Sequence, residues 1–148
     1  MWIILLFILV FISILLIGVG IGKAGRKRPL IMKLFLLGYI VFAGCFMFPI
    51  QSEPFPLDVG NLYSLLLAYG IIGLGFAGLY GKKREKQVYF FTLPLTLTGM
   101  ICRYLLEFGE VSNTYNFTLF NIITYAVILP VYTVIAYHFI SKYITPPS

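Results

Sequence analysis

Charge is what this 148-residue sequence has least of. Asp, Glu, Lys and Arg make up 11% of it, while 60% is hydrophobic and 18% aromatic, and the mean hydropathy is +0.96. A soluble domain carries about 25% charged and about 45–50% apolar residues. A chain this poor in polar groups cannot cover a water-soluble core, which argues against a disordered chain, a secreted disulfide scaffold and a free nucleic-acid-binding domain. No carboxylate and no lysine falls deep in an apolar run, so a carboxylate proton relay and a retinal Schiff base have no site. The single histidine, His138, cannot form a bis-histidine haem pair or a histidine-rich zinc site. The two cysteines, Cys45 and Cys102, do not form a C-x-x-C motif, which argues against a quinone-linked thiol oxidoreductase. They are expected as buried free thiols, with a disulfide conceivable only if their helices touch. No cofactor and no metal are expected.

What the sequence has is long apolar runs. Crossing a hydrocarbon core of about 30 Å takes roughly 17–25 mostly apolar residues in a helix. Five stretches qualify, at about 1–21, 29–50, 62–80, 88–106 and 118–140. None shows the alternation of a membrane barrel strand. The expected fold is therefore an all-α integral membrane protein, a single transmembrane domain over 1–148 built as a five-transmembrane-helix bundle. Positive charge follows the first run rather than preceding it, and no A-x-A cleavage site is present, so that run is expected as a retained helix and not a signal peptide.

The basic residues set the expected orientation. Lys23, Arg26, Lys27, Arg28 and Lys33 cluster at the first connection, Lys82, Lys83, Arg84 and Lys86 at the third, and Lys142 follows the fifth run, so ten of the 11 Lys and Arg fall on one side. Short loops rich in Lys and Arg stay cytoplasmic. The N-terminus is expected outside and the C-terminus inside, in a cell membrane and, from residue usage, a bacterial plasma membrane. The net charge of +6 then reads as a topology signal, with lipid headgroups and not nucleic acid as its counterpart, at about 1 kcal/mol per basic residue near an anionic surface.

Small residues mark the expected helix contacts. Gly18 and Gly22 form G-x-x-x-G in the first run; Gly73, Ala77 and Gly81 repeat at four-residue spacing in the third. Such spacing lets helix backbones approach closely. Contact inside one bundle is favoured over a homo-oligomer or partner interface. The Gly-Lys pairs at 22–23 and 81–82 could mark a duplicated hairpin, but the charge rule alone accounts for them.

One polar constellation stands out. Thr92, Thr96, Gly99, Arg103 and Glu107 are separated by steps of four, three, four and four, which places them on one helical face. In the last run Asn121, Tyr125, Ile128 and Tyr132 share a face, and Asn121 enters at the depth of Arg103, so the two faces could meet. Pro94 and Pro130 interrupt these helices. Threonine hydroxyls often bond back to their own helix, and Arg103 can snorkel to headgroups or pair with Glu107. The bland reading of Arg103 is thus an interfacial anchor and the sharp one an anion or headgroup contact. The asparagine of the sequon Asn116-Phe117-Thr118 lies too close to the membrane edge for a glycan to be expected.

Two functional classes remain. The first is a non-catalytic accessory, assembly or immunity-type subunit, acting through helix–helix contacts with a membrane-protein partner or a second copy. The alternative is a small transporter or channel protomer that uses the polar faces of the fourth and fifth runs. An enzyme is less favoured, because no nucleophile–base pair or metal cluster can be named.

Overall fold

The computed structural model describes residues 9, 12, 13, 16, 17, 20, 21, 24–48 and 59–144, except for the side chains of 59–61, 112 and 144. Every regular element named among them is helical: α1 (Pro29–Phe46), α2 (Val59–Tyr80), α3 (Glu85–Leu106), α4 (Ser112–Asn116), α5 (Leu119–Ile123), a π turn (Thr124–Ile128) and α6 (Leu129–Ile144). Four stretches are long and apolar enough to cross a membrane: Pro29–Phe46, Leu62–Tyr80, Glu85–Leu106 and Leu119–Tyr143. They match the second to fifth expected spans. Much of the first span lies outside the described residues, as do Gly18 and Gly22. Of that run, Leu9, Ile12, Leu16 and Ile17 are helical and exposed.

Local chemistry explains the boundaries. At Arg28 the backbone leaves the helical region (φ −138°, ψ 71°), and Pro29 opens α1, where its missing N–H costs nothing. Gly81, at φ 68°, closes α2 in the left-handed conformation that glycine adopts freely. The acidic Glu85 lies in the first turn of α3, where the helix dipole favours it. Thr118 caps α5 by accepting from the Asn121 N–H at 3.3 Å, which satisfies one of the orphan donors of a helix start.

The last span departs from the expected single α-helix. The π turn interrupts it just before Pro130, where a proline removes a helical hydrogen bond. One extra residue in that turn shifts the buried face. Tyr125 is followed inward by Leu129, Thr133 and Tyr137, all buried, whereas Ile128 is half exposed. The expected face through Ile128 and Tyr132 is therefore corrected to Leu129, Thr133 and Tyr137.

Helix α1 packs most extensively on α3, and α2 on α6, with α3 and α6 touching between them. Two seams are backbone-close. A Cβ built on Gly99 would lie 2.6 Å from the Val41 carbonyl oxygen, and one on Gly44 would lie 2.8 Å from the Thr96 carbonyl oxygen. On the other seam, a Cβ on Gly73 would come to 3.0 Å from the Ala136 Cβ and 3.1 Å from the Thr133 carbonyl oxygen. The face carrying Gly73 and the fully buried Ala77 is thus turned to α6.

Candidate functional site

The stripe on α3 divides in two. Its first half lies inside the bundle: Thr92 and Thr96 are fully buried, and Gly99 is pressed against Gly44 and Cys45. The Thr96 hydroxyl lies 3.1 Å from the hydroxyl of Tyr69 on α2, so a polar contact ties two helices in the apolar interior. Such interhelical bonds average about 0.6 kcal/mol in membrane proteins. The Thr92 hydroxyl is buried with no hydrogen-bond partner among the described residues.

The second half of the stripe reaches the end of the bundle and enters a polar network. The Arg103 guanidinium pairs with the Glu107 carboxylate one turn on. The other Glu107 oxygen accepts from the Asn116 side-chain amide at 2.9 Å. The Glu107 backbone carbonyl accepts from the Asn113 amide at 2.5 Å. The Asn121 amide donates to the Asn116 carbonyl at 2.9 Å. Arg103 and Asn121 therefore belong to one network, but Glu107 and Asn116 stand between them. The segment from Glu107 to Thr118 is folded over the helix ends by these bonds, and Asn116, at 1% exposure, is enclosed by it. Its side-chain amide donates one of its two hydrogens to Glu107.

Tyr125 takes no part in that network. Its hydroxyl donates to the Met47 carbonyl at the end of α1, and its ring meets Phe48 edge-on at 4.3 Å between centroids. Tyr125 thus ties the last span to α1. The thiols of Cys45 and Cys102 are both free, on helices that do touch at the Gly44–Gly99 seam.

A comparable fastening holds the opposite end, with little sign of it in the residue pattern. The Tyr137 hydroxyl donates to the Gly81 carbonyl at 2.5 Å and accepts from the Arg84 N–H at 3.1 Å. One buried phenol thereby caps the end of α2 and the start of α3 together. Beside it, Glu85 and His138 lie 3.0 Å apart, linking α3 to α6 at an exposed position. The third residue of the expected small stripe, Gly81, takes part through its carbonyl.

Tyr69, Asn113, Asn116 and Tyr137 are among the structurally engaged residues that the residue pattern does not bring to the site. Three asparagines at 113, 116 and 121, just after a lone Arg–Glu pair, were a usable signal for the network. Tyr137 is one of several tyrosines in the last run, and its position in the sequence carries no such signal. Chemically, the hydroxyls, amides and carboxylate described here act mainly as ties between helices and connections. Among the described residues, no three His, Cys, Asp or Glu side chains gather into a metal-holding group. The chain matches no protein-family model, no curated protein and no solved structure.

Proposed function

We propose that this chain is a small polytopic protein of the cell membrane, in bacteria the plasma membrane, that acts without catalysis, as an accessory, assembly or immunity-type subunit working through helix–helix contacts. In this reading it spans the bilayer five times, with the N-terminus outside and the C-terminus inside. Its surroundings are the lipid bilayer and a membrane-protein partner or a second copy of itself. The observation that carries the reading is the closed interior along the α3 stripe. Thr96 is bonded to Tyr69, and Gly99 is sealed against Gly44, so the middle of the polar face holds the bundle together. Large apolar side chains remain outside it, among them Leu34, Phe42 and Phe46 on one face of α1, where a partner helix or lipid packs.

One observation favours the alternative, a transporter or channel protomer. The Thr92 hydroxyl and the Arg103 Nε are both buried without partners among the described residues, on a helix that carries Pro94 in its interior. The experiment that separates the two is affinity purification of the full chain from its own membranes in mild detergent, with mass spectrometry. The subunit reading expects a second membrane protein in stoichiometric amount, lost when Leu34 and Phe42 are both changed to Ala. Recovery of the chain alone, together with solute flux in liposomes that Thr92→Val abolishes, decides for transport.

A further inference from the structure

The helical run 24–27 and helix α1 meet at a corner. Arg28 forms that corner: its backbone is non-helical, yet its N–H bonds to the Ala24 carbonyl and its carbonyl accepts from Met32, both at 3.2 Å. The direction of the chain is therefore held on both sides of the break. Beside the corner runs a furrow of about 300 Å³, with Ile21, Ala24 and Gly25 on one wall and Ile31, Met32 and Phe35 on the other. That volume is at the lower end of what ligand-holding clefts enclose. Gly25 lets Met32 close the floor, since a Cβ there would lie 2.9 Å from the Met32 Cγ. Ile31 and Phe35 stand half exposed along the rim.

Arg28 also lines this furrow, and neither ion pair found among the described residues involves it or its neighbours Arg26 and Lys27. An apolar trough ending in an unpaired guanidinium matches an amphiphile with a long chain and an anionic head. We infer that the furrow holds one anionic phospholipid, an acyl chain lying between Ala24 and Phe35 and the phosphate on Arg28. A guanidinium donates two parallel N–H bonds to phosphate oxygens, and charge complementarity singles out a phospholipid of negative headgroup over a zwitterionic one. The inference rests on the membrane reading above.

The test uses the full chain. Membranes are first washed with alkaline carbonate; release of the protein at that step overturns the membrane reading itself, before any lipid is added. The protein is then purified in mild detergent and examined by native mass spectrometry with phosphatidylglycerol or phosphatidylcholine of identical acyl chains. One retained phosphatidylglycerol is expected, favoured about ten-fold over phosphatidylcholine. Arg28→Ala should lower its retention about ten-fold, and Arg26→Ala, the same charge removed outside the furrow, by less than about two-fold. Ala24→Phe fills the trough at an exposed position, keeps every charge, and should also abolish retention. Phe35→Ala removes a wall without adding bulk and should weaken it. Equal retention of the two lipids, equal loss in Arg28→Ala and Arg26→Ala, or retention unchanged in both furrow variants overturns the site. So does displacement of the lipid by a second copy of the chain.

Discussion

A Cβ placed on Gly99 would lie 2.7 Å from the Cα of Gly44, so α1 and α3 meet backbone to backbone with no room for a side chain. At such a distance dispersion between main-chain atoms, not side-chain burial, holds the helices. Val41 and Cys45 flank the contact on α1 and Thr96 flanks it on α3, all through backbone atoms that cannot swing aside.

Gly99→Ala is therefore expected to destabilise the bundle by about 1–3 kcal/mol through overpacking. The melting temperature in mild detergent should fall by roughly 2–4 °C for each kcal/mol. Gly38 on the same α1 helix has nothing within 4 Å of a built Cβ. Gly38→Ala should then raise stability by about 0.4–1 kcal/mol. Equal effects of the two substitutions would remove the seam.

Tyr137→Phe deletes one oxygen and strips two backbone groups of their partner, the Gly81 carbonyl and the Arg84 N–H. Loss of stability of about 1–3 kcal/mol is expected. The connection between α2 and α3 should also loosen, so trypsin should cut after Lys82, Lys83 or Arg84 faster than in the parent protein. Unchanged cleavage and unchanged melting together would show that the phenol fastens nothing.

The network at the Glu107 end predicts an asymmetry between the two members of its ion pair. Arg103 is seen bonded to Glu107, whereas Glu107 also holds Asn116 by its carboxylate. Glu107→Ala should cost more stability than Arg103→Ala. The coupling in a double-mutant cycle should be about 0.5–1 kcal/mol, in the upper range for pairs near a surface. Arg103→Lys keeps charge and stem but not the planar fork, and it should recover less than the whole of that coupling.

The orientation proposed for the chain is open to a direct check. A reporter fused after Ser148 should be active in the cytoplasm only, because ten of the 11 Lys and Arg cluster on that side and short basic loops are retained there. Periplasmic activity of the same fusion would reverse the topology.

Particular residues show what could be read in the sequence and what could not. The four long helices were legible because apolar runs of that length leave a chain few alternatives. Gly73 and Ala77 were legible as a close-packing face because they repeat at four. Gly44 was not, since no small residue stands four positions away and only its partner across the seam, Gly99, gives it meaning. Arg103 and Glu107 could be paired from spacing alone. Their continuation to Asn116 and Asn121 depends on how the connection at 107–118 folds back, which helical periodicity does not encode. The failure to foresee Leu129 and Thr133 as inward residues has a single cause, the π turn, which an assumption of 3.6 residues per turn cannot anticipate.

That π turn joins two α-helical stretches within the last span. Before it, Asn121 is aimed at the connection 107–118, and within it Tyr125 is aimed at the end of α1; beyond it, the Thr133 backbone lies against Gly73 of α2 and Tyr137 is aimed at the connection at 81–84. Closing the turn as an ordinary α-helix with all of its residues kept would rotate everything beyond it by about 100°. The phenol of Tyr137 would then leave Gly81 and Arg84 while the Asn121 end kept its bonds. The turn thus works as a phase adjuster, taking up one extra residue while keeping the rotational register between the two fastened ends of the bundle.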